Sequence, residues 1–391
     1  MTRLAIISTH PIQYYAPWFR YITRSTDLEI RVFYLWDFGI NPQVDVGFKQ
    51  VLQWDIPLLD GYEYEFVPNH SSAPGVHYLW GLQNPSLVSQ VKAYNPYAVL
   101  LMCYNYASIY RFLWQWNSLA IPLLFRGDSH RLLQPTGMKA WARRQFITQI
   151  YHRFTACLYV GKANYDYFRY HGVSEQSLFF SPHTVDNDRF FTQTENAKQQ
   201  ATIWKQELGI PSHDRVILFA GKFEPKKRPL DLLLAFLEAN ISGVSLLFVG
   251  AGPLEADLKS AATGHSNIYF APFQNQTLMP RTYAAADLVV LPSYGSGETW
   301  GLAVNEAMCL GRPVVVSSHV GCAQNLIHQH HNGLIFPAGN VSALANSLQE
   351  AFSDGERLRR WGEESLKIVT GYNYTQATQG LKQALDYVNS L

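Results

Sequence analysis

The chain has 391 residues, 31 basic and 30 acidic, with a formal charge of +1 and 47% hydrophobic content. Such a length exceeds one ordinary core, so two domains are expected. The balanced charge argues against a dedicated nucleic-acid binder, whose affinity would rest on clustered basic residues.

Short apolar runs of strand length alternate with helical patterns along the whole chain. In the first half the runs are Leu4–Ser8, Ile30–Tyr34, Ala98–Met102, Pro122–Phe125, Ala156–Val160 and Leu178–Phe180. In the second they are Val216–Ala220, Leu246–Val249, Ile268–Phe270, Leu288–Leu291, Val314–Ser317 and Leu334–Phe336. They are apolar throughout rather than alternating, as befits parallel strands buried on both faces. The expected fold class is therefore α/β, with two Rossmann-like doubly wound domains. The expected boundaries are 1–190 for the first domain, 191–212 for a polar linker and hinge, and 213–371 for the second.

The opening MTRLAIISTH has too short an apolar run for a signal peptide, and no run reaches the roughly 18 residues of a membrane span. Cys103, Cys157, Cys309 and Cys322 lie far apart, as small buried residues in a reducing compartment. A cytoplasmic protein is expected. Peripheral contact with the inner face of the membrane is the one qualification, through KAWARRQFITQIYHRF, which sets Lys139, Arg143 and Arg144 beside Trp141, Phe146 and Ile147. The competing reading packs Phe146, Ile150 and Phe154 of that helix into the first domain. Aromatic residues make up 14% of the chain and gather before residue 191. They suit a core and interface, with some rings lining a cleft.

In doubly wound folds the chemistry sits in the loops that follow the strands. After Val216–Ala220 comes GKFEPKKRP, where Gly221 permits close approach and Lys222, Lys226, Lys227 and Arg228 precede a helix. After the next strand, VGAGP places Gly250 and Gly252 in a tight turn. The most specific stretch is GSGETWGLAVNEAMCLGRPVV, with Glu298 in a loop, Gly301 and Leu302 opening a helix, and Glu306 about one turn into it. Two carboxylates flanking a helix start suit a ligand with a diphosphate in its middle and hydroxyls at both ends: a nucleotide sugar.

With these residues in view, the chain resembles the GT-B-fold retaining glycosyltransferases of family 4 (glycosyltransferase group 1). The resemblance is carried by Glu298-x7-Glu306 and AMCLGRPVVVSS, by GKFEPKKRP, LLFVGAGPLEADL, IYFAPFQNQTLMPRTYAAADLVVLPS, NGLIFPAGNVSALANSL and SPHTVDNDRF, and by GYNYTQATQGLKQAL. It implies a central cleft between the two domains and a C-terminal helix, 372–391, that crosses back onto the first. The donor would be a nucleotide diphosphate sugar, with no cofactor and no metal. Asp186-Asn187-Asp188, which reads like a DxD metal motif, stands where the family has only V-D-x-x-x-F. Glu298 would bond the donor-sugar hydroxyls and Glu306 the ribose hydroxyls. Gly301, Leu302, Lys222 and Lys227 would hold the diphosphate, and Thr299, Trp300, Gly221, Gly250 and Phe273 complete the donor set.

Two departures stand out. Lys222 replaces a usual arginine and so lacks the two-pronged fork. The first-strand loop, STHPIQYYAPWF, offers His10 and Gln13 instead of glycines. Where the family carries a catalytic-site histidine, IPLLFRGDSHR places Asp128, with His130 two residues on. Arg126 and Arg131 flank them, as contacts for an anionic acceptor or as partners of Asp128. The expected function is retaining sugar transfer to a glycan or lipid-linked acceptor, in bacterial surface polysaccharide or glycolipid synthesis. The alternatives are a nucleotide-sugar epimerase on the same fold and a non-catalytic nucleotide-sugar-binding homologue.

Overall fold

The computed structural model describes residues 2–45, 47–48, 50–116, 121–133 and 136–391. Its strands, in chain order, are β1 (Thr2–Ser8), β2 (Leu28–Tyr34), β3 (Gln43–Asp45), β4 (Gln50–Leu52), β5 (Glu63–Phe66), β6 (Ala98–Leu101), β7 (Leu123–Gly127), β8 (Ala156–Tyr159) and β9 (Leu178–Phe180). In the second half they are β10 (Arg215–Ala220), β11 (Val244–Val249), β12 (Ile268–Ala271), β13 (Leu288–Leu291), β14 (Val314–Ser317) and β15 (Gly333–Phe336).

Seven strands form one parallel sheet in the order β5-β2-β1-β6-β7-β8-β9, and six form a second in the order β12-β11-β10-β13-β14-β15. Every apolar run expected as a strand is one. The central strands have no exposed residue between Leu4 and Ile7 or between Leu246 and Phe248, because helices cover both sheet faces. Two strand features escape the apolar pattern. β5 (EYEF) is a charged edge strand, and β3 and β4 form a separate antiparallel hairpin of two short strands, QVD and QVL.

In each sheet the strand order reverses at one point, between β1 and β6 in the first and between β10 and β13 in the second. Such reversals open a crevice at the strands' carboxyl ends. The loop after β10 is GKFEPKKRP and the loop after β13 carries Glu298, so both donor loops arise at the crevice of the second sheet.

The 191–212 segment, expected as a polar linker and hinge, has regular structure. It is mostly helix, Thr194–Glu207, and buries Ala197, Ala201 and Trp204 among residues of the second sheet's core. Those three recur at helical spacing, while the polar residues between them face water, which is why composition alone suggested a linker. The last helix, Tyr374–Asn389, returns to the first half. Ala377, Leu381, Ala384 and Leu385 pack with β1, β6 and β8, and Trp18 Nε1–H donates to Thr378 Oγ1 at 3.0 Å. Gly380 lies so close to the Phe180 carbonyl that a Cβ there would be 1.9 Å from it.

Among the described residues no helix is long and apolar enough to cross a membrane. The helix Met138–Tyr151 buries Ile147, Ile150 and Tyr151, but Phe146 is exposed, contrary to the packed reading of that residue. Phe146 sits on the helix's outer side, with its ring edge against Tyr110.

Candidate active site

A cleft of about 480 Å³ separates the two sheets and is lined from both. The second half contributes Gly221, Lys222, Lys227, Gly250, Phe273, Glu298, Thr299, Trp300, Gly301, Leu302 and Glu306. The first half contributes Gln13, Tyr14, Tyr15, Asp45 and Asp128.

Close backbone packing shapes the floor. A Cβ on Gly250 would lie 2.0 Å from the Gly221 carbonyl oxygen, so the turns after β10 and β11 touch there only because residue 250 is glycine. The Tyr294 N–H donates to the Lys226 carbonyl (2.8 Å), tying the basic loop to the glutamate loop.

Glu298 and Glu306 stand at different places along this cleft and do not pair with each other. Glu298 Oε2 accepts from Ser293 Oγ (2.8 Å) and is ion-paired with Lys227. Glu306 is 2% exposed and accepts hydroxyl hydrogens from Tyr283 (2.7 Å) and Tyr14 (3.3 Å), one from each half of the chain. Burial pushes the Glu306 carboxyl up, and the two tyrosines and Arg189 oppose that rise. An ionised carboxylate has about four acceptor positions, so two tyrosines leave Glu306 capacity for a ligand's hydroxyls. Gly301, in the left-handed region at φ 98°, precedes the helix Leu302–Cys309, and Gly301, Leu302 and Ala303 at its start line the cleft.

Both lysines expected to meet a diphosphate are occupied by carboxylates. Lys227 holds Glu298, and Lys222 Nζ donates to Asp45 at 2.8 and 3.1 Å. Asp45 comes from the β3–β4 hairpin. Its Oδ1 also accepts the N–H groups of Gly47 and Phe48, both at 2.8 Å. The same hairpin region reaches the second domain again, with Phe48 and Trp54 packing on Phe273 and Asn275 donating to the Gln53 carbonyl (2.7 Å). Of the other basic residues in the loop after β10, Lys226 lines the cleft and pairs with Glu224, whereas Arg228 turns to Asp231 and Tyr294.

The first-domain assignments divide. Asp128 lines the cleft and accepts from Thr299 Oγ1 (2.6 Å) and His183 Nε2 (3.3 Å). Burial raises its carboxyl, but the bonds from His183 and Thr299 and the Arg126 charge outweigh that and hold it at about 2. His130 is not on the cleft wall. It is 8% exposed, its Nδ1 accepts the Leu132 N–H (3.3 Å) and its Nε2 lies 3.2 Å from the Glu298 carbonyl oxygen, so both ring nitrogens are committed to backbone.

Arg126, expected on the acceptor side, is instead buried inside the first domain. It is 3% exposed, donates to the Ser181 and Pro182 carbonyls at 3.3 and 2.9 Å, and lies over the rings of Trp18 and Tyr15. It joins β7 to the chain after β9 and has no open face for an acceptor, because strand β7 points it inward from the sheet. His10 likewise packs edge-on to Trp36 and Phe38 rather than on the cleft, and burial lowers its ring to about 4. Gln13 and, beside it, Tyr14 and Tyr15 take the place on the wall. Asp186 caps the helix Asn187–Thr192 by accepting the Arg189 N–H (3.3 Å).

His183 was passed over within SPHTVDNDRF. It is 3% exposed, stacks parallel to Tyr15 at 5.9 Å and packs on Trp300, and its Nδ1 has no partner. Together with Thr184 it stands where the family that the chain resembles has the Asn-Gly of P-N-G-V-D, and those two departures are the available signal. Gly321 was also passed over. A Cβ there would come 1.8 Å from the Thr299 carbonyl, and its N–H donates to the Glu298 carbonyl (3.1 Å), so it sets the height of the glutamate loop.

Two facing Rossmann-like domains with a ligand-sized cleft between their strand ends define a GT-B protein. Two solved structures share the arrangement over essentially the whole chain. One is HepE of Anabaena in complex with UDP and glucose (TM-score 0.73, 17% identity, 99% of this chain and 100% of that one). The other is the sucrose-phosphate synthase of Thermosynechococcus elongatus (TM-score 0.73, 18% identity, 100% of both). Residues 200–367 match the family model Glycosyl transferases group 1. Curated relatives include a D-inositol 3-phosphate glycosyltransferase of Nocardia farcinica, 28% identical over 46% of this chain and 42% of that protein. An O-antigen chain mannosyltransferase C of Escherichia coli is 29% identical over 43% of this chain and 44% of that protein. The chain thus spans less than half the length of the curated relatives it matches.

Proposed function

We propose that the protein transfers a sugar, with retention at the anomeric carbon, from a nucleotide diphosphate sugar to a glycan or lipid-linked acceptor. The setting would be bacterial surface polysaccharide or glycolipid synthesis, on the cytoplasmic side. One observation carries this reading: a single cleft holds Glu298 and Glu306 as separate hydroxyl acceptors, with Lys222, Lys227 and a helix start on the same walls. That is the acceptor–cation–acceptor order of a nucleotide sugar's polar groups. HepE, which shares the fold, is described with UDP and with glucose, which supports a donor of this chemical class.

In the proposed reaction Glu306 holds the ribose and Glu298 the sugar hydroxyls. As the glycosidic bond breaks, charge gathers on the diphosphate, where Lys222, Lys227 and the Gly301–Leu302 N–H groups stabilise it. The ionised Asp128, fixed by Thr299 and His183, places negative charge near the electron-poor sugar carbon. The leaving phosphate assists removal of the acceptor's hydroxyl proton. No cofactor or metal is assigned a part in these steps.

The test is the thermal shift of the protein with UDP, GDP, ADP and their sugar conjugates, with Glu306→Ala alongside. A shift for one base, lost in the variant, is expected. No shift with any nucleotide refutes the donor-cleft reading, and conversion of donor alone to an epimer would replace transfer by epimerisation.

A further inference from the structure

A second, smaller pocket of about 160 Å³ lies in the first domain beside the cleft, and Thr299 lines both. Its walls include Arg131, Arg143 and Arg144, together with Tyr170 and His171. Among the described residues no carboxylate lines it, and none of the three arginines is in a salt bridge. Three like charges gathered without a counter-ion repel one another, and a bound anion relieves that repulsion.

The guanidinium groups are held in place. Arg131 and Arg144 lie 3.3 and 4.0 Å from the centre of the Tyr170 ring, and Arg144 donates to the Tyr170 carbonyl (3.2 Å). Stacking of this kind orients the planar forks, which match phosphate oxygens in pairs. Burial, aided by the charges of all three arginines, lowers the neighbouring His171 ring to about 4. His171 is therefore neutral at pH 7 and adds no fourth positive charge.

We propose that this pocket is an anion subsite that receives a phosphate group of the acceptor, held by Arg131, Arg143 and Arg144. The assignment of the ligand as acceptor rests on the transferase reading above, and on the shared Thr299, which sets the pocket next to Asp128 and Glu298. The shared chemistry is a phosphate ester, soluble or borne by a lipid. Exposed Leu133, Met138 and Trp141 near the pocket make a lipid-borne source compatible with the surface.

The experiment titrates inorganic phosphate into the wild-type protein, into Lys227→Met, whose donor cleft is disabled, and into the double variant Arg143→Ala/Arg144→Ala. Both arginines are exposed, so folding is not at stake. Binding that survives Lys227→Met and weakens at least tenfold in the double variant is expected. Absence of binding to the wild type, or equal binding by the double variant, overturns the proposal. Glycerol 3-phosphate and phosphatidylglycerol vesicles then identify the source, by whichever shows the same arginine dependence. The nucleotide shift is measured in parallel. If it is present while phosphate fails to bind, only the subsite falls; if it is absent, the donor-cleft reading falls instead.

Discussion

Replacing Asp45 by asparagine should tighten binding of the nucleotide diphosphate that stabilises the wild type. Asp45 sits on Lys222 at 2.8 Å, with their side chains only 13% and 28% exposed, so it occupies the cation expected to meet the diphosphate. At that separation and an effective dielectric constant of about 20 the gross attraction is about 6 kcal/mol. Most of it is offset by desolvation and by the ordering of the lysine, leaving a net of about 1–2 kcal/mol for a half-buried pair. A ligand that displaces Asp45 must overcome this net term, so Asp45→Asn should lower its Kd by about 5- to 30-fold. Asparagine keeps the Oδ1 that accepts the Gly47 and Phe48 N–H groups, so the hairpin's turn is retained and only charge is removed. Isothermal titration calorimetry at low and high salt reads the effect, which should shrink as salt screens the pair. Unchanged or weaker binding by Asp45→Asn would refute displacement and place Asp45 among the ligand's own contacts.

Gly321→Ala should weaken nucleotide binding at least tenfold although Gly321 touches no expected ligand, because its Cβ would displace the Thr299 carbonyl and with it Glu298; a wild-type Kd would contradict this. Arg126→Met should cost about 2–4 kcal/mol in urea unfolding, since it strands the Ser181 and Pro182 carbonyls inside the first domain. A loss below about 0.5 kcal/mol would show that these bonds contribute little to stability. Stability should also fall as pH drops from about 6.5 toward 4, read by thermal unfolding. His10 and His171 have folded values of about 4, so over this window the unfolded chain takes up protons that the folded chain refuses. Each unit of depression is worth about 1.4 kcal/mol per histidine, and a flat profile from 6.5 to 4 would show that both rings are more accessible than their packing indicates.

Strands such as LVVL and VVVS are legible because a strand buried on both faces carries mostly apolar residues, and their alternation with helices points to a doubly wound fold. Glu298, Gly301 and Glu306 are legible because they lie within one local strand–loop–helix unit, where nine residues of sequence hold the whole arrangement. Even there the sequence places Glu306 without its two tyrosines, since Tyr14 lies 292 residues away. What only the tertiary structure decided are contacts between distant segments. Asp128 and His130 are two residues apart, yet the end of β7 turns one to the cleft and the other to the Glu298 backbone. Asp45 sits in a short hairpin with no pattern of its own and acquires a role only when the domains face each other across Lys222. Arg131, Arg143 and Arg144 become a pocket only when the chain brings Tyr170 beneath them. Periodicity reports which face of an element is dry. It carries no information about which side chain from another element will meet that face, and that meeting is set by how the two sheets pack.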